Sequence, residues 1–166
     1  MTGSESNTMT IGALFRRRAH LLQEIRTYFS SEGVTEVNTP ILSGFGSCEP
    51  TLKNLSLNRG SRTYLRTSPE SYLKQLLSRN LGDVYEIGPV FRDEENDLFH
   101  LEEFTMVEWY RTNIDLLNLI ADVRCLLARC GYHATIDTVT YAQLFHDASG
   151  LDPHNCDNSE LVSCAV

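Results

Sequence analysis

The sequence predicts an α+β fold in which an antiparallel sheet is flanked by helices, and two patterns support this prediction. The segments Val84–Phe91 and Glu102–Tyr110 are rich in β-branched and aromatic residues and enclose a charged segment, which is typical of paired antiparallel strands. Apolar residues recur at helical spacing in 11–32 and again in 116–127. The glycine-rich phosphate motifs of doubly wound parallel sheets do not occur in the sequence, so that architecture is not favoured.

The first elements are a helix over 11–32 and a short strand over 34–37. Gly33 is expected to end the helix, because glycine readily adopts the left-handed conformation that closes helices. The pair Thr39-Pro40 then favours extended backbone, since the residue before a proline avoids the helical region.

The next part of the chain predicts loops, a strand and a second helix. Residues 43–62 are rich in Gly, Ser and Asn, which indicates loops around short strands, and 63–66 is predicted as a strand. Ser68-Pro69-Glu70 is a favourable helix start, with a serine cap, a proline in the first turn and an acid near the positive end of the helix dipole. Residues 80–82 are expected to end this helix.

A third helix is predicted after the paired strands, with Thr112 as its cap and Asp115 as the acid of a near capping box. Gly131 is expected to end it. A strand over 135–139 and a helix from Tyr141, capped by Thr140, follow. The predicted buried stripe of the third helix consists of Leu116, Leu117, Ile120, Val123, Leu126 and Leu127.

Composition excludes several classes of protein. With 166 residues and 42% apolar content, the chain is long enough for one domain with a core. Residues 1–10 are polar and resemble a loose leader without the apolar core of a signal peptide, and no apolar run has the length of a membrane span. Five cysteines without a C-x-x-C pair indicate reduced thiols, so we expect a cytoplasmic protein without a metal site in these residues. A net charge of −8 argues mildly against a broad nucleic-acid surface.

Two groups of residues near the paired strands carry potential chemistry. Arg92 and Glu94 form either a solvated ion cluster of little energetic weight or a site for a phosphate, which arginine binds through two parallel hydrogen bonds. Strand periodicity places Phe104, Met106, Glu108 and Tyr110 on one face. That face belongs either to an ordinary amphipathic strand or to a ligand site. A buried carboxylate needs a partner, so Glu108 favours the second reading.

The start of the second helix is a further candidate. Ser68 is explained as a helix cap, whereas Glu70 either sits in the solvent or faces a cleft and binds an ammonium group. The five histidines lack metal-ligand spacing, and His100 alone precedes the returning strand, where it is within potential reach of a phosphate.

Three segments, in this order, resemble the class II aminoacyl-tRNA synthetases. Residues 33–42 resemble their motif 1, Thr67-Ser68-Pro69-Glu70 resembles their amino-acid-binding loop, and Phe91–Tyr110 resembles their motif 2. Within that class the run 103–110, Glu-Phe-Thr-Met-Val-Glu-Trp-Tyr, is most similar to the lysine branch and especially to the elongation factor P lysine ligases. The resemblance extends from about Leu14 to Pro153.

The resemblance implies a nucleotide site on the paired strands. Arg92 is implied to bind the α-phosphate of ATP and to act as the catalytic residue, Glu94 to bind the adenine amino group, and Phe104 to stack on adenine. Asp93 and His100 are implied to complete this ATP site.

The resemblance also implies a site for the amino acid. Ser68, Pro69 and Glu70 are implied to line it, and Glu108 and Tyr110 to meet the ammonium groups of a lysine-like substrate. Motif 1 in this family lies at the interface of a homodimer, which places Pro40 there.

The implied reaction is ATP-dependent activation of lysine or β-lysine as an adenylate, followed by transfer to a lysine of elongation factor P. Lysyl-tRNA synthetase is one alternative, with tRNA as a less favoured partner, and a non-catalytic remnant that dimerises or binds a partner is another. No membrane partner is expected. ATP is the implied nucleotide, and Mg²⁺ is expected to be bound by residues that have no counterpart in this sequence.

Two departures from the family pattern stand out. Leu101 occupies a position where the family has an asparagine that helps to hold ATP, and a leucine side chain cannot make that hydrogen bond. Motif 3, which carries a second ATP-binding arginine, has no counterpart. The sequence therefore predicts that 11–166 is the N-terminal half of a class II catalytic domain, incomplete at its C-terminus, and that lysine-dependent pyrophosphate exchange is absent.

Overall fold

The computed structural model describes residues 10–59, 61–93, 97–98 and 100–164, without the side chains of 58, 59 and 61. The predicted leader therefore lies almost entirely outside the described residues. The chain divides into two compact units, one up to Tyr132 and the other from His133 onwards. The helices and strands in chain order are α1 (Ile11–Ser31), β1 (Thr35–Glu36), β2 (Leu42–Ser43), β3 (Ser56–Arg59), β4 (Ser61–Leu65), α2 (Glu70–Ser78), β5 (Val84–Phe91), β6 (Glu103–Tyr110), α3 (Leu116–Arg129), α4 (Tyr141–Ser149) and α5 (Asn158–Cys164).

The first helix has the predicted ends. The Thr10 side chain accepts a hydrogen bond from the Ala13 backbone amide at 3.3 Å, which satisfies one of the free amides of the first turn. Gly33 has a φ of +70°, a conformation that favours glycine, and it lets the chain leave the helix and enter β1. The strand is shorter than the predicted 34–37.

Among the described residues of the first unit, the strands form two three-stranded sheets. The first sheet has the order β1-β5-β6, with β5 and β6 antiparallel over their whole length, from Val84 opposite Tyr110 to Phe91 opposite Glu103. The prediction of a wholly antiparallel sheet is wrong for β1, which pairs parallel to β5. The long connection between these two strands, which includes β2–β4 and α2, makes a parallel pairing possible. The second sheet is antiparallel, in the order β2-β4-β3.

The core lies between α1 and one face of the first sheet. Phe29 of α1 is fully buried and stacks on Tyr85 of β5, with ring centroids 4.3 Å apart. The residues that share this core are Leu22, Ile25, Tyr28, Phe29, Val34, Tyr85, Ile87, Val107, Trp109, Leu126 and Cys130. Alternation along β5 and β6 therefore leaves the opposite face of the sheet for the candidate site.

Two predicted helix caps are wrong. Pro69, and not Ser68, occupies the cap position of α2, and no side chain accepts a capping hydrogen bond there. The helix begins one residue later than the Ser-Pro pattern suggests. Asp115, and not Thr112, caps α3 and accepts from the Asn118 amide at 2.8 Å. Thr112 instead donates through its amide and hydroxyl to Asp83, at 2.6 and 2.7 Å.

The predicted buried stripe of α3 is largely exposed. Leu126 is buried, but Leu116 and Leu117 are 70% and 71% exposed, and Val123 and Leu127 also face solvent. Apolar periodicity predicts which residues share a face, and it does not by itself ensure that another element covers them.

The second unit contains α4 and α5. Thr140 caps α4 as predicted and accepts from the Gln143 amide at 3.1 Å, and Gly150 ends the helix with a φ of +73°. The predicted strand over 135–139 is wrong, because these residues form neither a strand nor a helix. Within the part of the chain that the structure describes, no helix is long and apolar enough to cross a membrane.

Candidate functional site

The hairpin formed by β5 and β6 places Phe104, Glu108 and Tyr110, the predicted binding residues of β6, on the face opposite to the core. Glu86 lies opposite Glu108, and Val90 lies opposite Phe104, in the antiparallel register. Val107 and Trp109 take the other face and pack against α1, so the predicted division of β6 into two faces is confirmed. Phe104, Glu108 and Tyr110 are all half-buried.

Arg92 and Phe104 meet at the loop end of this hairpin. Arg92 follows the last residue of β5, and its backbone amide donates to the Glu102 carbonyl at 2.9 Å, which extends the strand pairing by one step. Its guanidinium carbon lies 5.2 Å from the centroid of the Phe104 ring, within the range of a cation–π interaction. The charged group predicted to bind phosphate and the aromatic ring predicted to stack on a base are thus adjacent.

Two of the other residues predicted for the nucleotide, Asp93 and His100, lie among the described residues. Asp93 is half-buried, and its amide donates to the Lys53 carbonyl at 3.0 Å. Glu94 lies outside the described residues. The His100 imidazole nitrogen Nδ1 is 2.8 Å from the Asp97 carboxylate, so it is held within the loop, and Leu101 is 63% exposed.

The start of α2 borders a cleft of about 410 Å³. Ser68 and Glu70 line this cleft, together with Phe45 and Tyr72, whose ring centroids are 5.9 Å apart. Pro69 is buried beside it and is not among the lining residues. Glu70 is exposed and forms an ion pair with Lys74, one helical turn later, at 2.5 Å.

Glu108 and Tyr110 form a coupled pair on β6. The Tyr110 hydroxyl donates to the Glu108 carboxylate at 2.9 Å. Burial raises the pKa of the Glu108 carboxyl, and the negative charges of Glu70 and Glu86 add to this, while the Tyr110 hydrogen bond and the Lys74 charge oppose it. Burial likewise raises the pKa of the Tyr110 hydroxyl, and the charges of Glu108 and Glu70 contribute to that shift.

Phe104, predicted for the nucleotide, and Glu108, predicted for the amino acid, share one face of β6. Glu70 is near enough to Glu108 and Tyr110 for its charge to act on both, although it comes from another element. Phe104 and Glu108 are four residues apart on one face of a strand, a separation of roughly 14 Å at 3.4 Å per residue. That distance suits a ligand with an aromatic base at one end and a cation at the other.

A buried ion pair beneath this surface was missed by sequence reasoning. The Arg66 guanidinium lies 2.5 Å from the Glu86 carboxylate, and Thr39 donates to the same carboxylate through its amide and hydroxyl, at 3.1 and 2.7 Å. A signal was present in the sequence, because a glutamate in the middle of an otherwise apolar strand needs a partner when it is buried.

A second charged network anchors the far end of the sheet. Arg111 bonds to Asp83 at 2.9 Å and to Asp122 of α3 at 3.1 Å, and the Tyr28 hydroxyl donates to Asp122 at 2.8 Å. Burial raises the pKa of Asp83, but the Thr112 hydrogen bonds and the Arg111 charge outweigh it, so the pKa lies below its ordinary value. These contacts fix α1 and α3 to the sheet.

Among the described residues there is no group of three or more His, Cys, Asp or Glu side chains arranged to hold an ion.

Comparison with known proteins gives a consistent result. The family model of class II tRNA synthetases (D, K and N) matches residues 6–144. An elongation factor P (R)-β-lysine ligase of Haemophilus influenzae is 37% identical over 156 residues, which cover 90% of this chain and 48% of the relative. The ligases of the same name from Pasteurella multocida and Actinobacillus succinogenes are 37% and 36% identical, over 89% and 95% of this chain and 48% and 51% of their own lengths. The chain spans about half the length of the curated relatives it matches.

Proposed function

Because the chain belongs to the family of class II tRNA synthetases (D, K and N), we propose that it binds ATP and a lysine-like amino acid for formation of an adenylate. We propose (R)-β-lysine or lysine as the amino acid and a lysine of elongation factor P as the acceptor. The relatives named as ligases of this kind support the proposal. The observation that carries it is the placement of Arg92 against Phe104 on the sheet face that also holds Glu108 and Tyr110.

Arg92 is the proposed catalytic residue. In the first step a carboxylate oxygen of the amino acid attacks the α-phosphorus of ATP, the bond to the β-phosphate oxygen breaks, and pyrophosphate leaves. Negative charge builds on the α-phosphate oxygens during this attack, and a fixed guanidinium at that point stabilises it. Asp93, Glu94 and His100 are the remaining proposed contacts to the nucleotide, and Phe104 offers the ring on which adenine stacks.

The proposed amine site is built from carboxylates. Glu108 is half-buried with a raised pKa, and the nearby Glu70 charge contributes to that shift. An ammonium group beside Glu108 would favour the charged form of this half-buried carboxyl, which is the physical basis for preferring a substrate with an amine at this point. Ser68, Pro69 and the Tyr110 hydroxyl complete this site.

In the second step an amine nitrogen attacks the acyl carbon of the adenylate, AMP leaves, and the amine loses a proton. An acidic chain with a net charge of −8 suits a protein acceptor better than the phosphate backbone of tRNA. Transfer to tRNA remains the second candidate because the family description itself refers to tRNA synthetases. We also propose a homodimer in which the exposed Pro40 lies at the interface.

Equilibrium binding tests this proposal. We expect calorimetric titration to show binding of ATP, of lysine and of (R)-β-lysine, and no binding of norleucine, which lacks the second amine. Arg92→Ala should weaken ATP binding roughly tenfold to a hundredfold, the cost of a lost charged hydrogen bond. Arg79→Ala, which removes an exposed arginine at the end of α2, is the matched control and should leave it unchanged.

Titration with purified acceptors separates the alternatives. Saturable binding of elongation factor P, with no binding of lysine tRNA at physiological salt, supports the protein acceptor. The reverse result supports the tRNA synthetase. A chain that binds elongation factor P but neither ATP nor lysine would instead be a non-catalytic binding protein.

A further inference from the structure

Arg66 is a buried cation that the proposed chemistry does not use. It follows β4 directly, and its side chain is only 4% exposed, while that of its partner Glu86 is 2% exposed. Because the side chain is almost fully buried, its hydrogen-bond donors need acceptors within the protein.

Those donors connect three separate segments of the chain. Arg66 Nη1 donates to Glu86 Oε1 at 2.5 Å, to the Thr39 hydroxyl at 2.8 Å and to the Thr39 carbonyl at 3.2 Å. Its Nε donates to the Pro89 carbonyl at 3.0 Å. One guanidinium therefore holds Thr39 and two residues of β5, Glu86 and Pro89, in position relative to one another.

The backbone of Arg66 strengthens the same connections. Its amide donates to the Ile41 carbonyl at 3.0 Å, and its carbonyl accepts from the Phe91 amide at 2.9 Å. Gly88 makes the close approach possible, since a Cβ there would lie 2.4 Å from Arg66 Nη2. Any larger residue at position 88 would displace the guanidinium or the strand.

The chain connects each of these points to the candidate site. Arg66 precedes Ser68 by two residues, and Pro89 precedes Arg92 by three. Glu86 lies directly opposite Glu108, and its charge contributes to the raised pKa of that carboxyl. The network is therefore placed to set how far the start of α2 lies from Arg92 and from Glu108.

We propose that Arg66 is a positioning residue that fixes the phosphate-binding Arg92 relative to the amine-binding face, and this rests on the proposed function. Stability alone is a poor account of the ion pair, because a buried pair of this kind is often replaced by apolar residues without loss of folding free energy. A displacement of about 1 Å at a reacting group, by contrast, costs roughly a hundredfold in rate.

The test removes the charges without leaving one of them unpaired. In the double variant Arg66→Met/Glu86→Met, both partners become apolar side chains of similar volume, so no buried charge is left unpaired. The thermal midpoint should still fall, because the Thr39 amide and the Thr39 and Pro89 carbonyls lose their partners. With protein labelled with ¹⁵N-arginine, the Nε–H signal of Arg92, assigned by its loss in Arg92→Lys, reports the position of Arg92 over the Phe104 ring through the ring current. We expect this signal to move and the dissociation constant for ATP to rise roughly tenfold, because the charged hydrogen bond from Arg92 to the phosphate is weakened.

Gly88→Ala is the second variant. It keeps the charges of Arg66 and Glu86, and its added methyl group displaces the Arg66 guanidinium. It should move the Arg92 signal in the same direction, and it keeps the test decisive if the double variant does not fold. Arg79→Met is the control for loss of an arginine and should leave the Arg92 signal in place. A folded double variant or Gly88→Ala protein with the wild-type Arg92 signal and wild-type ATP affinity would overturn the proposal.

The readouts also separate this proposal from the proposed function. If the wild-type chain binds no ATP, the proposed function fails, while the Arg92 signal still shows whether Arg66 positions that side chain. Suppose that the wild-type chain binds ATP and that Arg92→Ala weakens this binding. If the Arg92 signal is nevertheless unchanged in the Arg66/Glu86 double variant and in Gly88→Ala, only the positioning role fails.

Discussion

The Tyr110 hydroxyl donates to the Glu108 carboxylate at 2.9 Å, two residues along the same strand and on the same face of the sheet. This hydrogen bond holds a carboxylate that burial and two neighbouring acids otherwise disfavour. Folding therefore disfavours the charged form of the Glu108 carboxyl, and a cationic ligand beside it would favour that form.

Glu108→Gln should stabilise the unliganded chain and remove its affinity for lysine. The pKa of Glu108 is raised in the folded state. The contribution of this shift to the free energy of unfolding is therefore fully present below the ordinary glutamate pKa, and it is lost as pH rises through the pKa of the folded state. The amide oxygen of glutamine still accepts from Tyr110 but carries no charge. We expect a higher thermal midpoint than wild type at pH 7 and a difference that disappears in acid, with lysine binding measured by calorimetry.

Glu103→Gln is the control for this experiment, since Glu103 is exposed and lies at the start of the same strand. Equal effects of the two substitutions on stability and on lysine binding would show that general charge, and not the Glu108 site, is responsible.

Phe104→Ala should weaken ATP binding. Stacking of a base on an aromatic ring contributes about 1–3 kcal/mol, so the dissociation constant should rise roughly fivefold to more than a hundredfold. Phe15→Ala, at an exposed position of α1, serves as the matched control and should leave ATP binding unchanged. Wild-type affinity in Phe104→Ala would remove the ring from the nucleotide site.

Asp83→Asn should destabilise the first unit by about 2 kcal/mol, the cost of charged hydrogen bonds lost to Arg111 and Thr112. The pKa of Asp83 is lowered by folding, so the stability it contributes is present above the ordinary aspartate pKa of about 3.9 and is lost as pH falls through the folded pKa. Denaturant titrations between neutral and acid pH measure this. Asp137→Asn, at an exposed acid, should show neither effect.

Gly12 and Gly33 should respond in opposite directions to substitution by alanine. Gly12 lies inside α1, where an added Cβ meets nothing closer than 3.5 Å, so Gly12→Ala should stabilise by about 0.5–1 kcal/mol. Gly33 has a φ of +70°, so Gly33→Ala should destabilise by about 1–2 kcal/mol. Thermal unfolding of the two variants measures both, and a stabilised Gly33→Ala would contradict the account of how α1 ends.

Local patterns predicted the structure well where a residue has few competing partners. The bounds of β5, the end of α1 at Gly33 and the Thr140 cap of α4 follow from side-chain type and backbone preference alone. Thr112 was predicted as a cap, and that prediction failed because Asp83, 29 residues earlier in the chain, takes its hydrogen bonds. Sequence proximity cannot reveal a competitor of that kind.

The residues of the candidate site likewise divide into those that a local pattern predicts and those whose contacts depend on distant segments. The alternation of β6 correctly placed Phe104 and Glu108 opposite the core, since a strand fixes which side chains share a face. The contact of Arg92 with Phe104 depends on the register of the hairpin, and the Arg66–Glu86 pair depends on three segments meeting, so neither follows from local pattern. The exposed Leu116 and Leu117 show, conversely, that an apolar stripe does not ensure burial.

A crystal structure of this chain grown with ATP and lysine is the most direct test of the account. We predict adenine stacked on the Phe104 ring, the α-phosphate within hydrogen-bonding distance of the Arg92 guanidinium, and the lysine ammonium at Glu108. A nucleotide bound elsewhere, with no ligand atom near Arg92 or Glu108, would contradict the claim that this hairpin forms the site.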